Sequence, residues 1–279
     1  MAYFVFNGKT YKEGSAIVGP GNRGLRYGDG LFETMKMADG RLQFADAHFA
    51  RLWKGMAVLG FELPKLFSPE KLIEEILLLA KKNGHENKAR IRLQVFRGDG
   101  GLYDAISHAP NYMIETFTLP EENNSLNSNG LVLGIFKDAK KSCDMLSSLK
   151  HCNYLPYALA ALYAKKEKWN DALLQNHHGR VCDSTVANVF IIKNEQIFTP
   201  ALSEGCVAGI MRDHIMQSLK ATAWKVNEQA ITIEEALNAD EVFLTNSIYA
   251  IRWVQSIGSS TYKNETVQKI YAALLPTIA

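Results

Sequence analysis

Lys150 stands in Ser147-Ser-Leu-Lys150-His-Cys-Asn153-Tyr-Leu, just ahead of a predicted helix. An amine is nucleophilic only when unprotonated, and desolvation at such a position would lower its pKa. Taken alone, it reads as a surface lysine like most others. Arg51 follows His48 by three residues in Asp46-Ala-His48-Phe-Ala-Arg51-Leu52, so both lie on one helical face. A guanidinium fixed there can grip a phosphate with two parallel hydrogen bonds; its plain alternative is a solvated charge. Gly205-Cys-Val-Ala-Gly209-Ile210-Met211-Arg212 opens another predicted helix, where unpaired N–H groups make an anion site or merely a glycine loop. Asp183 follows the turn His178-Gly179-Arg180 and precedes a strand starting at Asn188, so it reads as a turn aspartate unless something basic meets it. Ser247 directly follows an apolar strand, at the end where α/β sheets bind ligands.

The densest run of special residues is Asn22-Arg23-Gly24-Leu25-Arg26-Tyr27-Gly28-Asp29-Gly30-Leu31-Phe32-Glu33-Thr34. Three glycines in seven residues mark tight backbone geometry, in its plainest form a turn before a strand. The spacing is not that of a dinucleotide-binding loop, and no clear helix follows it.

These groups need elements to hold them. A hairpin is predicted from residues 3–6 and 9–11 around Asn7-Gly8. A helix is expected over 45–59 and a second over 68–82, with Ser68 as N-cap, Pro69 at the first helical position and Gly84 past the end. The apolar face of the second is expected to be Leu72, Ile73, Ile76, Leu77 and Ala80. Residues 90–96 look like a strand. Residues 118–130 are polar with Pro and Gly, and read as a linker between a first domain, 1–117, and a second, 131–279. The second half alternates strand-like runs (131–136, 172–175, 188–192, 241–244) with helical ones (156–168, 208–220, 233–238, 266–275). That pattern implies an α+β first half and an α/β second half with a mixed sheet or barrel.

Composition narrows the partners. In 279 residues, 31 basic and 29 acidic side chains leave a formal charge of +2 with no like-charged block, so neither nucleic acid nor an anionic membrane is implied. The N-terminus lacks the pattern of a secretory leader, and no apolar stretch approaches a bilayer span. Cys143, Cys152, Cys182 and Cys206 are widely spaced, which fits reduced thiols in a cytoplasmic protein and suggests no metal motif.

Together the segments resemble the class IV (fold type IV) aminotransferase family, enzymes that use pyridoxal 5'-phosphate (PLP). The family's order is followed by Arg23-Gly-x-x-Tyr-Gly-Asp-Gly-x-Phe-Glu-Thr34, His48-x-x-Arg51-Leu52, Arg97-Gly98, Lys150-x-x-Asn-Tyr-Leu155, Asp183-x-x-x-x-Asn188-Val-Phe190, Gly209-Ile-x-Arg212 and Thr245-Asn-Ser247. The resemblance implies a small N-terminal α+β domain and a larger C-terminal mixed α/β, barrel-like domain. It makes Lys150 the lysine that holds PLP as a Schiff base and moves the substrate proton. Arg51, Ile210, Met211 and Ser247 fall at its phosphate positions, and Asp183 at the acidic partner of the pyridine nitrogen, where the family usually carries the longer glutamate. It also implies a homodimer acting on a small amino compound. A Pro-Arg-x-His carboxylate trap of the D-amino acid enzymes is missing after Arg97-Gly98. The run Thr245-Asn-Ser-Ile-Tyr-Ala-Ile251 and the start Gly24-x-x-Tyr-Gly-Asp-Gly look more like 4-amino-4-deoxychorismate lyases, which make 4-aminobenzoate and pyruvate in folate synthesis. Branched-chain aminotransferases come next, since Arg92 falls where they carry a substrate-side arginine. Tyr27 and Arg97 are further substrate candidates. A protein that merely binds a phosphorylated ligand would leave Lys150 and Asp183 idle.

Overall fold

The hairpin at the N-terminus forms where Asn7-Gly8 places it. A computed structural model, describing residues 2–120, 125–220, 222 and 224–278, pairs β1 (Tyr3–Phe6) with β2 (Lys9–Lys12). Asn7 and Gly8 both take positive φ, as a two-residue turn matched to strand twist requires. The chain then makes the short helix α1 (Arg23–Tyr27), strands β3 (Gly30–Ala38) and β4 (Arg41–Leu42), helices α2 (Ala45–Val58) and α3 (Pro69–Asn83), and strands β5 (Lys88–Arg97) and β6 (Pro110–Phe117). The six strands form one antiparallel sheet in the order β2-β1-β6-β5-β3-β4. Its core joins alternate residues of β3 and β5, among them Met35, Met37, Ile91 and Leu93, to Leu52 and Met56 of α2 and Leu72 and Ile76 of α3.

Ser68 caps α3 through its hydroxyl and Gly84 ends it in the left-handed region, as the sequence signals require. One part of its expected face is corrected. Leu79 is buried and Leu77 is exposed, because the buried row runs Leu72, Ile76, Leu79, Ala80. The glycine-rich run also contains α1, a helix that its spacing gave no reason to expect.

The first compact unit comprises Met1–Pro120 together with Leu149–Asn153, and the second comprises Glu121–Ser148 with Tyr154–Ala279. Of the linker expected at 118–130, residues 121–124 lie outside the described residues.

The second unit holds β7 (Leu131–Lys141), α4 (Leu155–Lys166), β8 (Asp171–Asn176), β9 (Val181–Ser184), β10 (Asn188–Lys193), β11 (Gln196–Pro200), α5 (Ile210–Leu219), β12 (Val226–Gln229), α6 (Ile233–Leu237), β13 (Glu241–Asn246), β14 (Ala250–Ile257), β15 (Ser260–Thr261) and α7 (Glu265–Ile278). Its sheet is mixed, in the order β12-β11-β10-β13-β14-β7-β8-β9 with β15 on β14. Parallel pairing occurs at β11–β12, β14–β7 and β7–β8. The strand interiors are buried on both faces and read as continuous Val/Ile/Leu/Phe runs, as in β10 and β13. The helix α4 covers β7 and β8 through Tyr157, Ala160 and Ala164. Among the described residues, no helix is long and apolar enough to cross a membrane.

Candidate active site

β3 distributes its chemistry by the period of a strand. Leu31, Glu33, Met35 and Met37 point to the core side, so a carboxylate sits among apolar neighbours. Two side chains of α2, one turn apart, engage it. Arg51 Nε donates to Glu33 Oε1 at 2.8 Å and Nη2 to Oε2 at 2.5 Å, while His48 Nδ1 donates to Oε2 at 2.7 Å. Burial raises the Glu33 pKa, but the Arg51 charge and the hydrogen bonds from His48 and Arg51 outweigh it and bring it down to about 2. Burial pushes the His48 pKa down; Glu33 opposes that shift, and the nearby charges of Arg51 and Lys150 add to it. Among the described residues, its buried Nε2 has no hydrogen-bond partner.

Phe32 points the other way. The guanidinium of Arg92, on β5, lies 4.2 Å from its ring centroid, and Lys150 Nζ lies 4.5 Å from the same centroid. Register explains the first contact: Arg92 pairs with Thr34 and Gln94 with Phe32, so all four share one face. Arg92 is steadied by Gln94 Oε1 at 2.9 Å and lies 3.9 Å from Glu115, which pairs with it on β6. Lys150 is held by main chain rather than by a helix. Phe32 N donates to Lys150 O and Cys152 N to Gly30 O, both at 2.9 Å, so Leu149–Asn153 pairs with the start of β3.

In the second unit Asp183 is not a turn residue; it lies within β9, opposite Leu174 of β8, and is buried. Its Oδ2 accepts from Lys141 Nζ (3.0 Å), Tyr157 Oη (2.7 Å) and Val207 N (3.0 Å), and Oδ1 accepts from Asn188 Nδ2 (2.9 Å). Lys141 also donates to the Tyr157 hydroxyl. Burial first, and then the Asp183 charge, push the Tyr157 phenol well above its ordinary pKa, so it remains a donor. Asn188 uses a second hydrogen on Val207 O (2.8 Å), tying the carboxylate to the segment entering α5. That helix begins without a side-chain cap at Gly209, and Ile210 and Met211 supply its first turn. A Cβ at Gly209 would collide with Asn188 Oδ1, which explains the glycine. Ser247 lies half-buried in the turn after β13, a turn set by Asn246 Oδ1 accepting from Ile248 N and Tyr249 N.

Two substrate candidates are placed differently. All three guanidinium nitrogens of Arg97 have protein partners: Nε on Asp29 (3.0 Å), Nη1 on His108 (2.9 Å) and Nη2 on Leu59 O (2.5 Å). It is buried and clamps β5 to the end of α2. Tyr27 ends α1, partly exposed, with the Arg23 guanidinium 5.3 Å from its ring centroid. Sequence reasoning gave no role to Glu33, Lys141 or Tyr157, the side chains that engage Arg51 and Asp183. Glu33 interrupts an apolar strand, a signal that was visible. Nothing local marks Lys141.

Each unit by itself offers groups that fit PLP. The first has an amine against an aromatic ring and a guanidinium oriented by a carboxylate. In the second, an uncapped helix start suits a phosphate dianion. Asp183 accepts one bond at Oδ1, where a carboxylate oxygen has room for a second, as a pyridinium N–H requires.

The family model for class IV amino-transferases matches residues 30–257. An aminodeoxychorismate lyase of Vibrio harveyi is 28% identical over 245 residues, 87% of this chain and 88% of that one. A protein of Methanocaldococcus jannaschii provisionally named a branched-chain-amino-acid aminotransferase is 30% identical over 267 residues, 95% of this chain and 91% of that one. The crystal structure of the branched-chain amino acid aminotransferase of T.th., complexed with N-(5'-phosphopyridoxyl)-L-glutamate, superposes with a TM-score of 0.85 at 23% identity, covering 99% of this chain and 94% of that one. The family match spans most of the sequence and takes in strands of both sheets, and this chain belongs to the class IV aminotransferases, enzymes that depend on PLP.

Proposed function

We propose that this protein is a 4-amino-4-deoxychorismate lyase, releasing pyruvate to leave 4-aminobenzoate. The observation that carries this reading is the Phe32 ring flanked by the Arg92 guanidinium and Lys150 Nζ. A planar wall with a cation beside the amine suits a carboxylated six-membered ring whose amino carbon must reach the lysine. The Vibrio harveyi relative carries the name of that activity.

In this reading Lys150, Arg51, Asp183, Ile210, Met211 and Ser247 hold PLP. Bound PLP supplies an electron sink for charge developing at the substrate carbon. Glu33, itself bonded by His48, holds the Arg51 guanidinium plane so that it meets the phosphate preoriented. Asp183 keeps the pyridine nitrogen protonated, and Lys141, Tyr157 and Asn188 fix its carboxylate. Arg92 binds a substrate carboxylate. Lys150 Nζ takes the proton from the ring carbon that bears the amine. The neighbouring carbon–oxygen bond then breaks, the ring becomes aromatic, and the enolate that leaves takes up one proton at its methylene carbon, replacing the one Lys150 removed, to become pyruvate. The elimination needs no oxidant.

A second reading, branched-chain amino acid transamination, is favoured by Arg92 and by the Methanocaldococcus jannaschii relative. A side-by-side assay of the holoenzyme decides between them. The lyase reading expects 4-aminobenzoate and pyruvate in equal amounts and no transfer of amino groups to 2-oxoglutarate. Transfer from leucine or valine without 4-aminobenzoate would replace it. The family resemblance also carries a homodimer into this proposal.

A further inference from the structure

We propose that Cys143, His177 and His178 form a binding site for a borderline divalent transition metal such as Zn²⁺, separate from the PLP machinery. The sequence conceals it, since the thiol precedes the histidine pair by a long stretch of chain. The fold of the second unit closes that distance. Each residue offers one ligand atom, and the three atoms lie within 4.8 Å of one another. The two imidazoles are neighbours on the β8–β9 turn, with ring centroids 3.9 Å apart and planes inclined by 45°. The thiol is half-buried on the segment that leaves β7, and both imidazoles are exposed.

Thiolate and imidazole are the ligands that Zn²⁺ and its neighbours prefer over Mg²⁺ or Ca²⁺. Zinc–sulfur and zinc–nitrogen bonds of about 2.3 and 2.0–2.1 Å set tetrahedral edges of roughly 3.5 Å. Side-chain rotation can close that gap, because exposed imidazoles turn freely. The backbone beneath them is already fixed. His177 N donates to Lys141 O at 3.0 Å, which ties the turn to the end of β7. The buried Asn176 side chain accepts from His178 N and Arg180 N, both at 3.0 Å, and donates to Glu204 Oε2 at 2.8 Å. Glu204 is further engaged by Arg180 at 2.5 and 2.9 Å, so its carboxylate is already paired. The site therefore has three protein ligands and a fourth position for water. Binding releases one proton, from the thiol, and leaves a net charge of +1 on the cluster.

The metal would staple the segment leading to Lys150 to the hairpin that carries Asp183, and no step of the PLP reaction passes through it. Co²⁺ is the probe, titrated into the PLP-loaded protein and followed by its thiolate charge-transfer absorption. One equivalent per chain is expected, displaced by Zn²⁺. Cys143→Ser should remove the band, and the His177→Ala/His178→Ala pair should weaken binding at least tenfold, with PLP absorbance and circular dichroism unchanged. In the unsubstituted protein, Zn²⁺ should also slow alkylation of Cys143 by iodoacetamide, a readout that does not depend on how any variant folds. A band that survives Cys143→Ser, unchanged affinity in the histidine pair, or Cys143 alkylation indifferent to Zn²⁺ would each overturn the proposal.

Discussion

Under the proposed function the Asp183 carboxylate has two tasks, holding a cofactor nitrogen and compensating the buried Lys141 ammonium 3.0 Å away. Asparagine would fail at both. Asp183→Asn should slow turnover by roughly 10²-fold, about 3 kcal/mol in the barrier, and should also lower stability by about 3 kcal/mol because it strands a buried cation. The double variant Asp183→Asn/Lys141→Met should regain much of the melting temperature and none of the turnover. Recovery of both would show that the carboxylate serves packing alone. Asp183→Glu keeps the charge but adds a methylene to a filled site, at a cost of about 1–3 kcal/mol. Lys150→Ala should abolish turnover, and borohydride reduction of the unsubstituted holoenzyme followed by peptide mapping should leave the phosphopyridoxyl group on Lys150. A label on another lysine would move the assignment.

At the scale of elements, the pairing of β3 with α2 carries a pH signature. The Glu33 pKa is held at about 2, below the ordinary 4.5. A depressed carboxyl contributes stability that is complete above its unfolded pKa and is lost as pH falls through its folded one. The loss should therefore run from about pH 4.5 to about pH 2, with a full size of about 3 kcal/mol at about 1.4 kcal/mol per unit. Glu33→Gln should melt well below the parent at pH 7, and the two melting curves should converge toward pH 2–3. A gap that stays constant with pH would mean that shape, not charge, is what Glu33 contributes. The same elements show what a sequence can and cannot declare. α3 was legible because Ser68, Pro69 and Gly84 act within a few residues of the helix ends. The hairpin at Asn7-Gly8 was legible for the same reason. Strands β4, β6, β9, β11, β12, β14 and β15 were not anticipated, being short or lacking a clean alternation. Lys141 was invisible because its partner stands on another strand. The setting of Arg97 was hidden because its partners Asp29, His108 and Leu59 meet it only in the fold.

For the whole molecule, the proposed homodimer predicts a light-scattering mass of twice the 31.1 kDa chain. A fully active species at the single-chain mass would refute it. The bonds joining Leu149–Asn153 to the start of β3 have a consequence for how the reactive amine comes into being. No local segment can place Lys150; its position exists only when chain from near the N-terminus has been reached by a loop more than a hundred residues downstream, and loop closure over such a span costs entropy that only the later contacts repay. The lysine thus acts as a reporter of completed long-range assembly. Amide hydrogens of Phe32 and Cys152, whose acceptors are Lys150 O and Gly30 O, should exchange as one cooperative pair. If Cys152 exchanged far faster than Phe32, the segment would be fraying from its far end, and the amine would be presented by a hinge rather than by a closed seam.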